Sequence, residues 1–148
     1  MPLKHHSPVG SEANPEREPS QYMFLFRHGK WDEGLSAEEI MKIMEDVRTW
    51  FDALAKAGKV AGGSPLMEGG KTVRIGNGGA SVSDGPFVES KEAVAGYLLL
   101  RVDSMEEAVE IAKTSPLLRH DATMTTEVRE IAPECPVYVR LREMAAAV

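Results

Sequence analysis

Several classes of protein are excluded by what this sequence lacks. Only one cysteine, Cys135, is present among the 148 residues, so there is no intrachain disulfide framework and no cysteine-based metal site. The 17 basic residues are outnumbered by 23 acidic ones, whereas a nucleic-acid surface normally carries a basic excess. No segment approaches the roughly 20 apolar residues of a membrane span, and residues 1–21 lack the apolar core of a signal peptide. We therefore expect a soluble, cytoplasmic protein without direct contact to nucleic acid or membrane.

The apolar content is sufficient for one folded domain. Hydrophobic residues make up 43% of the chain, and the length fits a single unit. Residues 1–21 contain four prolines and little to bury, so they are predicted to form a flexible tail. The domain is expected over residues 22–132. Residues 133–148 form an extension for which the pattern allows either a short strand or a helix.

The first half of the domain is predicted to be strand, helix and strand. Residues 22–28 are aromatic and apolar, with Tyr22, Phe24 and Phe26 on one face and Met23 and Leu25 on the other. Ser36 and Glu39 form a capping box, and helical spacing of apolar residues continues to about residue 57. The apolar stripe predicted to face the core comprises Ile40, Ile43, Met44, Val47, Phe51, Leu54 and Ala55.

The second half repeats this order after a hairpin. Residues 71–75 and the returning arm flank the turn sequence GNGG, in which Asn-Gly is a strong hairpin signal. A buried strand is predicted at 94–102, and Ser104 caps a second helix. This helix is expected to turn Met105, Ala108, Val109 and Ala112 inward. A last strand is expected within residues 122–131.

This order predicts an α+β, ferredoxin-like fold of βαβ-hairpin-βαβ type. Such a fold is an antiparallel sheet with two helices on one face. The other face would be a large apolar patch, which single soluble chains avoid. We therefore expect either a homodimer that packs sheet on sheet, as in dimeric α/β barrels, or a ligand pocket beside the sheet.

The turn Asp84-Gly85-Pro86-Phe87 and the charges that follow it are the most suggestive candidate site. Turn chemistry alone accounts for the first three residues, since Asp accepts amide hydrogen bonds and Pro fixes φ. The charges are either a surface ion pair worth less than about 1 kcal/mol or groups that bind a polar ligand and transfer protons. The predicted catalytic residues are Asp84 and His28, and the predicted ligand-binding residues are Arg74, Phe87, Glu89, Lys91 and Glu92.

Metal and nucleotide sites are not expected. His28 and His120 lack metal-ligand spacing with any other histidine, so zinc is not predicted. The sequence GGKT at 69–72 lacks the first glycine of a phosphate-binding loop and precedes a strand pattern where that motif requires a helix. No cofactor is predicted.

The stretch VSDGPFVESKEAVAGYLLLRV, 82–102, resembles the signature of the DGPF-domain branch of the YCII-related family. YMFLFRHGKWDEGLSAEE at 22–39 is similar to the family's opening strand, loop and helix start, and TTEVREI at 125–131 to its closing strand. The resemblance implies small bacterial proteins with a dimeric ferredoxin-like fold and largely unassigned function. It matches Asp84 to the DGPF aspartate and His28 to a histidine after the first strand, whereas the helix-borne histidine of the other branch has no counterpart here.

Two functions remain open at this point. The first is a homodimer whose small polar pocket binds or transforms an anionic or carbonyl-containing molecule, with His28 as a proton carrier because histidine titrates near neutrality. The second is a non-catalytic interaction or regulatory module, since some relatives are encoded beside, or fused to, sigma-factor-like regulators. A monooxygenase of dimeric α/β-barrel type is a third possibility, supported by fold analogy alone.

Overall fold

A computed structural model describes residues 21–27, 30–84 and 93–147. These ranges contain strands and helices in the order β1 (Gln21–Arg27), α1 (Ala37–Lys56), β2 (Val60–Pro65), β3 (Lys71–Gly76), β4 (Gly79–Asp84), β5 (Val94–Arg101), α2 (Met105–Lys113), α3 (Pro116–His120), β6 (Thr125–Glu130) and α4 (Pro136–Ala146).

The strands form two separate antiparallel sheets. Four of them make a sheet in the order β2-β5-β1-β6, in which every neighbouring pair is antiparallel. Strands β3 and β4 pair only with each other, in a two-stranded hairpin. Among the described strands neither sheet closes into a barrel. The mixed α+β class with antiparallel sheets is therefore confirmed.

The core lies between the four-stranded sheet and one layer of helices. Tyr22 and Phe24 on β1 are buried, and they pack with Leu98 and Leu100 of β5 and with Ala108 of α2. The aromatic face of β1 is thus the helix-covered face, because side chains alternate along a strand. Met23 and Leu25 lie on the opposite face, and both are only partly buried.

The predicted helix starts are confirmed. The Ser36 hydroxyl accepts a hydrogen bond of 3.1 Å from the backbone N–H of Glu39, and it donates to the Glu39 carboxylate at 3.0 Å. Ser104 accepts a hydrogen bond of 3.1 Å from the backbone N–H of Glu107. Gly58, with φ of 72°, lies just after α1 in the left-handed conformation expected of a helix stop.

Two helices were not predicted as such. The segment after Thr114 becomes α3, because Pro116 supplies a φ suited to a first helical turn. The extension contains α4, which settles the choice between strand and helix for that segment. In the described part of the chain, no helix combines the length and the apolar character that a membrane crossing requires.

The predicted inner faces of α1 and α2 were partly wrong. Met44 and Phe51 are 46% and 41% exposed, and Ile43 is the buried residue of α1. Met105 at the start of α2 is also exposed, whereas Ala108 and Ala112 are buried as predicted. Apolar periodicity identifies the inward face of a helix, but it does not show whether the sheet comes close enough to cover that face.

Gly63 is required where β2 meets β5. Its φ is 154°, and a Cβ atom there would lie 2.7 Å from the Tyr97 carbonyl oxygen and 3.1 Å from the Leu98 Cα. At the neighbouring Gly62, the nearest atom to a Cβ would be the Leu99 Cδ1 at 3.8 Å, an ordinary contact. The edge strand therefore approaches β5 most closely at Gly63.

We predict that Gly63→Ala lowers the free energy of unfolding by about 1–3 kcal/mol, because alanine must adopt a strained φ against a backbone carbonyl. The matched variant Gly62→Ala should change it by less than about 1 kcal/mol. Urea denaturation of both variants measures the difference. Equal effects of the two substitutions would contradict the prediction.

Candidate functional site

A cleft of about 1220 Å³ opens between α1 and the helix-covered face of the sheet. The side of the cleft formed by α1 is apolar and aromatic. The side formed by the sheet includes two glycines, where the backbone itself lines the cleft. The floor includes Leu117 and Met124, which lie near α3. From α1 the lining comprises Met44, Val47, Trp50 and Phe51, and from the sheet it includes Phe26, Gly63, Gly96, Tyr97 and Leu98.

Helix α1 is held at two places beside the cleft. Trp50 and Leu54 pack against the core, and the Trp50 Nε1 donates a hydrogen bond of 2.8 Å to the Thr114 Oγ1 at the end of α2. Earlier in the helix, Ile43 is buried and α1 contacts α3. Met44 follows the first attachment and Phe51 lies within the second, and both line the cleft and remain exposed.

Both tryptophans of the chain line this cleft. Trp31, in the loop before α1, joins Trp50 of the helix in the lining. Apolar and aromatic walls with few polar groups are typical of small-molecule sites. The charged members of the lining, Lys30 and Glu68, are both exposed, and Ser115 is a buried polar residue of the lining.

A second, polar cavity of about 800 Å³ adjoins the first. The two share Lys30 and Trp31. Its other lining residues come from α1, from the end of α3 and from the loops before α1 and β6, and they include Lys42 and His120. Nearby, the Asp121 Oδ1 accepts hydrogen bonds from the backbone N–H of Thr123 at 2.8 Å and from its hydroxyl at 2.6 Å, which fixes the loop before β6.

The predicted site residues that the structure describes lie on the hairpin, away from both cavities. Asp84 ends β4 and forms an exposed ion pair with Lys71, its cross-strand neighbour. Arg74 stands opposite Ser81 and so belongs to the other face of the hairpin. Asp84 and Arg74 are therefore not brought together. The other predicted site residues, His28, Phe87, Glu89, Lys91 and Glu92, lie outside the described residues, and their roles stay predictions.

The cleft was missed at the sequence level, although one signal was present. The apolar stripe of α1 is wide, and its two halves serve different purposes: Leu54 packs against the core, whereas Met44 and Phe51 line the cleft. Trp31 lies in a loop, where a bulky aromatic residue has no packing reason visible in the sequence. The wide apolar stripe of α1, together with a tryptophan in a loop, was therefore the signal in the sequence that could have indicated the cleft.

The described ranges contain no cluster of side chains suited to hold a metal ion. No three histidine, cysteine, aspartate or glutamate side chains converge there as ligands would. Cys135 is a free, exposed thiol at the residue preceding α4.

The open face of the sheet carries an ion-pair cluster beside apolar residues. The Arg27 Nη2 and Nε donate to the Glu127 Oε2 at 2.9 and 3.2 Å, and the Arg129 Nη1 donates to the Glu127 Oε1 at 3.3 Å. The hydrogen bonds from Arg27, followed by those from Arg129, hold the pKa of the Glu127 carboxyl below its ordinary value of 4.5. Leu25 pairs directly with Glu127, so apolar and ionic surfaces adjoin on this face.

Comparison with known proteins shows two similarities. The profile of the YCII-related domain matches residues 21–133. An uncharacterized protein of Rhizobium meliloti (strain 1021) is 31% identical over 99 residues, which is 66% of this chain and 79% of that protein.

We predict that the ion-pair cluster stabilises the fold only where Glu127 is ionised. A pKa lower in the folded than in the unfolded state contributes stability that is full above the unfolded value and is lost as pH falls through the folded value. The difference in free energy of unfolding between the wild type and Glu127→Gln should therefore be largest near pH 7 and shrink below pH 4.5. Thermal unfolding between pH 3 and 7 measures it, and a difference that grows toward acid pH would refute the assignment.

Proposed function

We propose, from the premise that this chain belongs to the YCII-related family, that it is a homodimeric small-molecule-binding protein whose ligand enters the cleft beside α1. The observation that carries the proposal is the partly exposed apolar face of α1, which lines the cleft instead of packing on the sheet. A cleft of this size and composition is suited to a ligand with an apolar or aromatic body.

The ligand class follows from the two adjoining cavities. The larger one offers methionine, phenylalanine and tryptophan side chains, whereas the smaller one offers charged and polar groups. Lys30 belongs to both linings and is exposed, so an ammonium group is available where the cavities meet. A molecule with an apolar body and an anionic or carbonyl end matches this arrangement.

The finer fold assignment is also part of this proposal. The order β2-β5-β1-β6 with antiparallel pairing throughout supports a ferredoxin-like sheet, with the β3–β4 hairpin as an insertion. The open face then supplies the dimer interface, since Met23, Leu25 and Leu99 lie opposite the helix-covered side. Packing two such faces across a twofold axis would remove apolar surface from water on both protomers at once.

Ligand entry is tested by the emission of the two cleft tryptophans on titration with anilinonaphthalene sulfonate, an aromatic anion. We expect saturable quenching in the wild type. Met44→Glu should weaken binding at least tenfold, because a carboxylate placed in an apolar lining loses water without gaining a partner. Met41→Glu, three residues earlier, is the matched control, since Met41 is 68% exposed and is not part of the lining.

Equal affinities in the two glutamate variants would contradict binding in this cleft. Absence of quenching in the wild type, both with this probe and with a library of metabolites, would instead favour the interaction or regulatory module. The folded state of each variant is checked by far-UV circular dichroism before titration.

The dimer is tested by sedimentation equilibrium. We expect a wild-type mass of twice 16.2 kDa, and we expect Leu99→Lys to weaken association by about a hundredfold or more, because an unpaired ammonium would be buried between apolar faces. Thr49→Lys adds the same charge at an exposed position of α1 and should leave association unchanged. A dimer unaffected by Leu99→Lys would show that the open sheet face is not the interface.

A further inference from the structure

One face of the β3–β4 hairpin is apolar except at its open end, where Lys71 pairs with Asp84. Cross-strand pairing places Val73 opposite Val82 and Ile75 opposite Ala80, so these four residues share a face. Val73, Ile75 and Val82 are 63%, 76% and 62% exposed. A two-stranded hairpin is at best marginally stable by itself in water, and β3 and β4 have no other strand partner among the described residues. We therefore expect another protein surface to pack on this face of the hairpin in the folded protein.

Helix α4 exposes a second apolar surface. The stripe Val137, Tyr138, Leu141 and Met144 recurs at spacings of three and four residues, so its members lie on one side of the helix. They are 47% to 68% exposed, and no residue of α4 is buried. The helix begins after residue 133, where the match to the family profile ends. Its apolar stripe therefore does not serve the core of its own domain.

We propose that the apolar face of the hairpin packs on the α4 stripe of a second copy of this chain. The inference rests on the homodimer proposed above. Both surfaces occur once in every chain and stay exposed within it, so neither covers the other in the same molecule. With a twofold axis, the hairpin of each protomer packs on α4 of the other. Both apolar surfaces are then covered in one symmetric arrangement.

The charges at the margins of these surfaces suit an apolar contact. On the hairpin, Lys71 and Asp84 neutralise each other at the open end of the apolar face. On α4, Arg142 pairs with both carboxylate oxygens of Glu134, which precedes the helix. Each apolar surface is thus bordered by a neutral ion pair, as in interfaces with an apolar centre and a polar rim.

The area involved is appropriate for part of a dimer interface. Large apolar side chains bury roughly 60–120 Å² each when fully covered, so the seven on these two surfaces amount to about 250–500 Å² per protomer at their observed exposures. The reciprocal exchange would then bury about 500–1,000 Å² in total. Stable interfaces bury about 1,200–2,000 Å², and the open sheet face supplies the remainder.

Two adjacent residues of β4 provide a matched test. Val82→Asp places a carboxylate on the apolar face, whereas Ser81→Asp adds the same charge on the opposite face. By sedimentation equilibrium, the dimer dissociation constant of Val82→Asp should be at least tenfold larger than that of Ser81→Asp. Circular dichroism should show that both variants are folded. Equal dimer affinities in the two variants would overturn the hairpin exchange and leave the homodimer standing. A wild type that stays monomeric at millimolar concentration would overturn both.

The choice of α4 as the surface that receives the hairpin is tested by a double-mutant cycle. Val82→Ala and Leu141→Ala should each weaken the dimer severalfold, and the double variant should be weakened by less than the product of the two effects, because both truncations remove the same contact. Independent effects that multiply would show that the hairpin and the helix do not meet across the interface.

Discussion

The antiparallel pairing of β1 with β5 is the interaction on which the rest of the molecule depends. These are the two central strands, and they carry the largest fully buried side chains, Phe24 and Leu100. Each also pairs with one edge strand, β6 on β1 and β2 on β5. Helix α2 completes the core by placing Ala108 against these strands, and a small side chain at that point lets the helix come close. Loss of this pair would leave both edge strands and the helices without a common support.

A core centred on two strands has a consequence for every other apolar residue. The helices cover one face of a four-stranded sheet, and the tight approach at Ala108 draws α2 toward the sheet, whereas α1 is held by Trp50 at one end and by Ile43 at the other. Met44 and Val47, which lie between these anchors, line the cleft. The cleft, the open sheet face, the hairpin and α4 are thus four places where apolar side chains lie outside the core.

Local features of the fold were predictable from the sequence, whereas tertiary distances were not. Ser36 and Ser104 cap their helices as the Ser-x-x-Glu spacing predicts, because capping depends on atoms within one turn. Apolar periodicity likewise identified the inward side of α1. It could not show that Met44 and Phe51 face a gap, since the distance from helix to sheet is set by residues far away in the chain. For the same reason, the sequence suggested a site at the Asp84 turn, while the cleft between α1 and the sheet went unpredicted.

The cleft and the proposed dimer surface both involve strand β5. Leu98 lines the cleft and Leu99 faces the open side, so successive residues of β5 serve the two surfaces. The β2 strand next to β5 is constrained by Gly63, whose backbone also borders the cleft. A ligand pressing on this part of the sheet would act on strands whose other side is proposed to be held by the partner. Assembly and ligand binding would therefore share one structural element, with occupancy of either surface restricting the movement of β2 and β5.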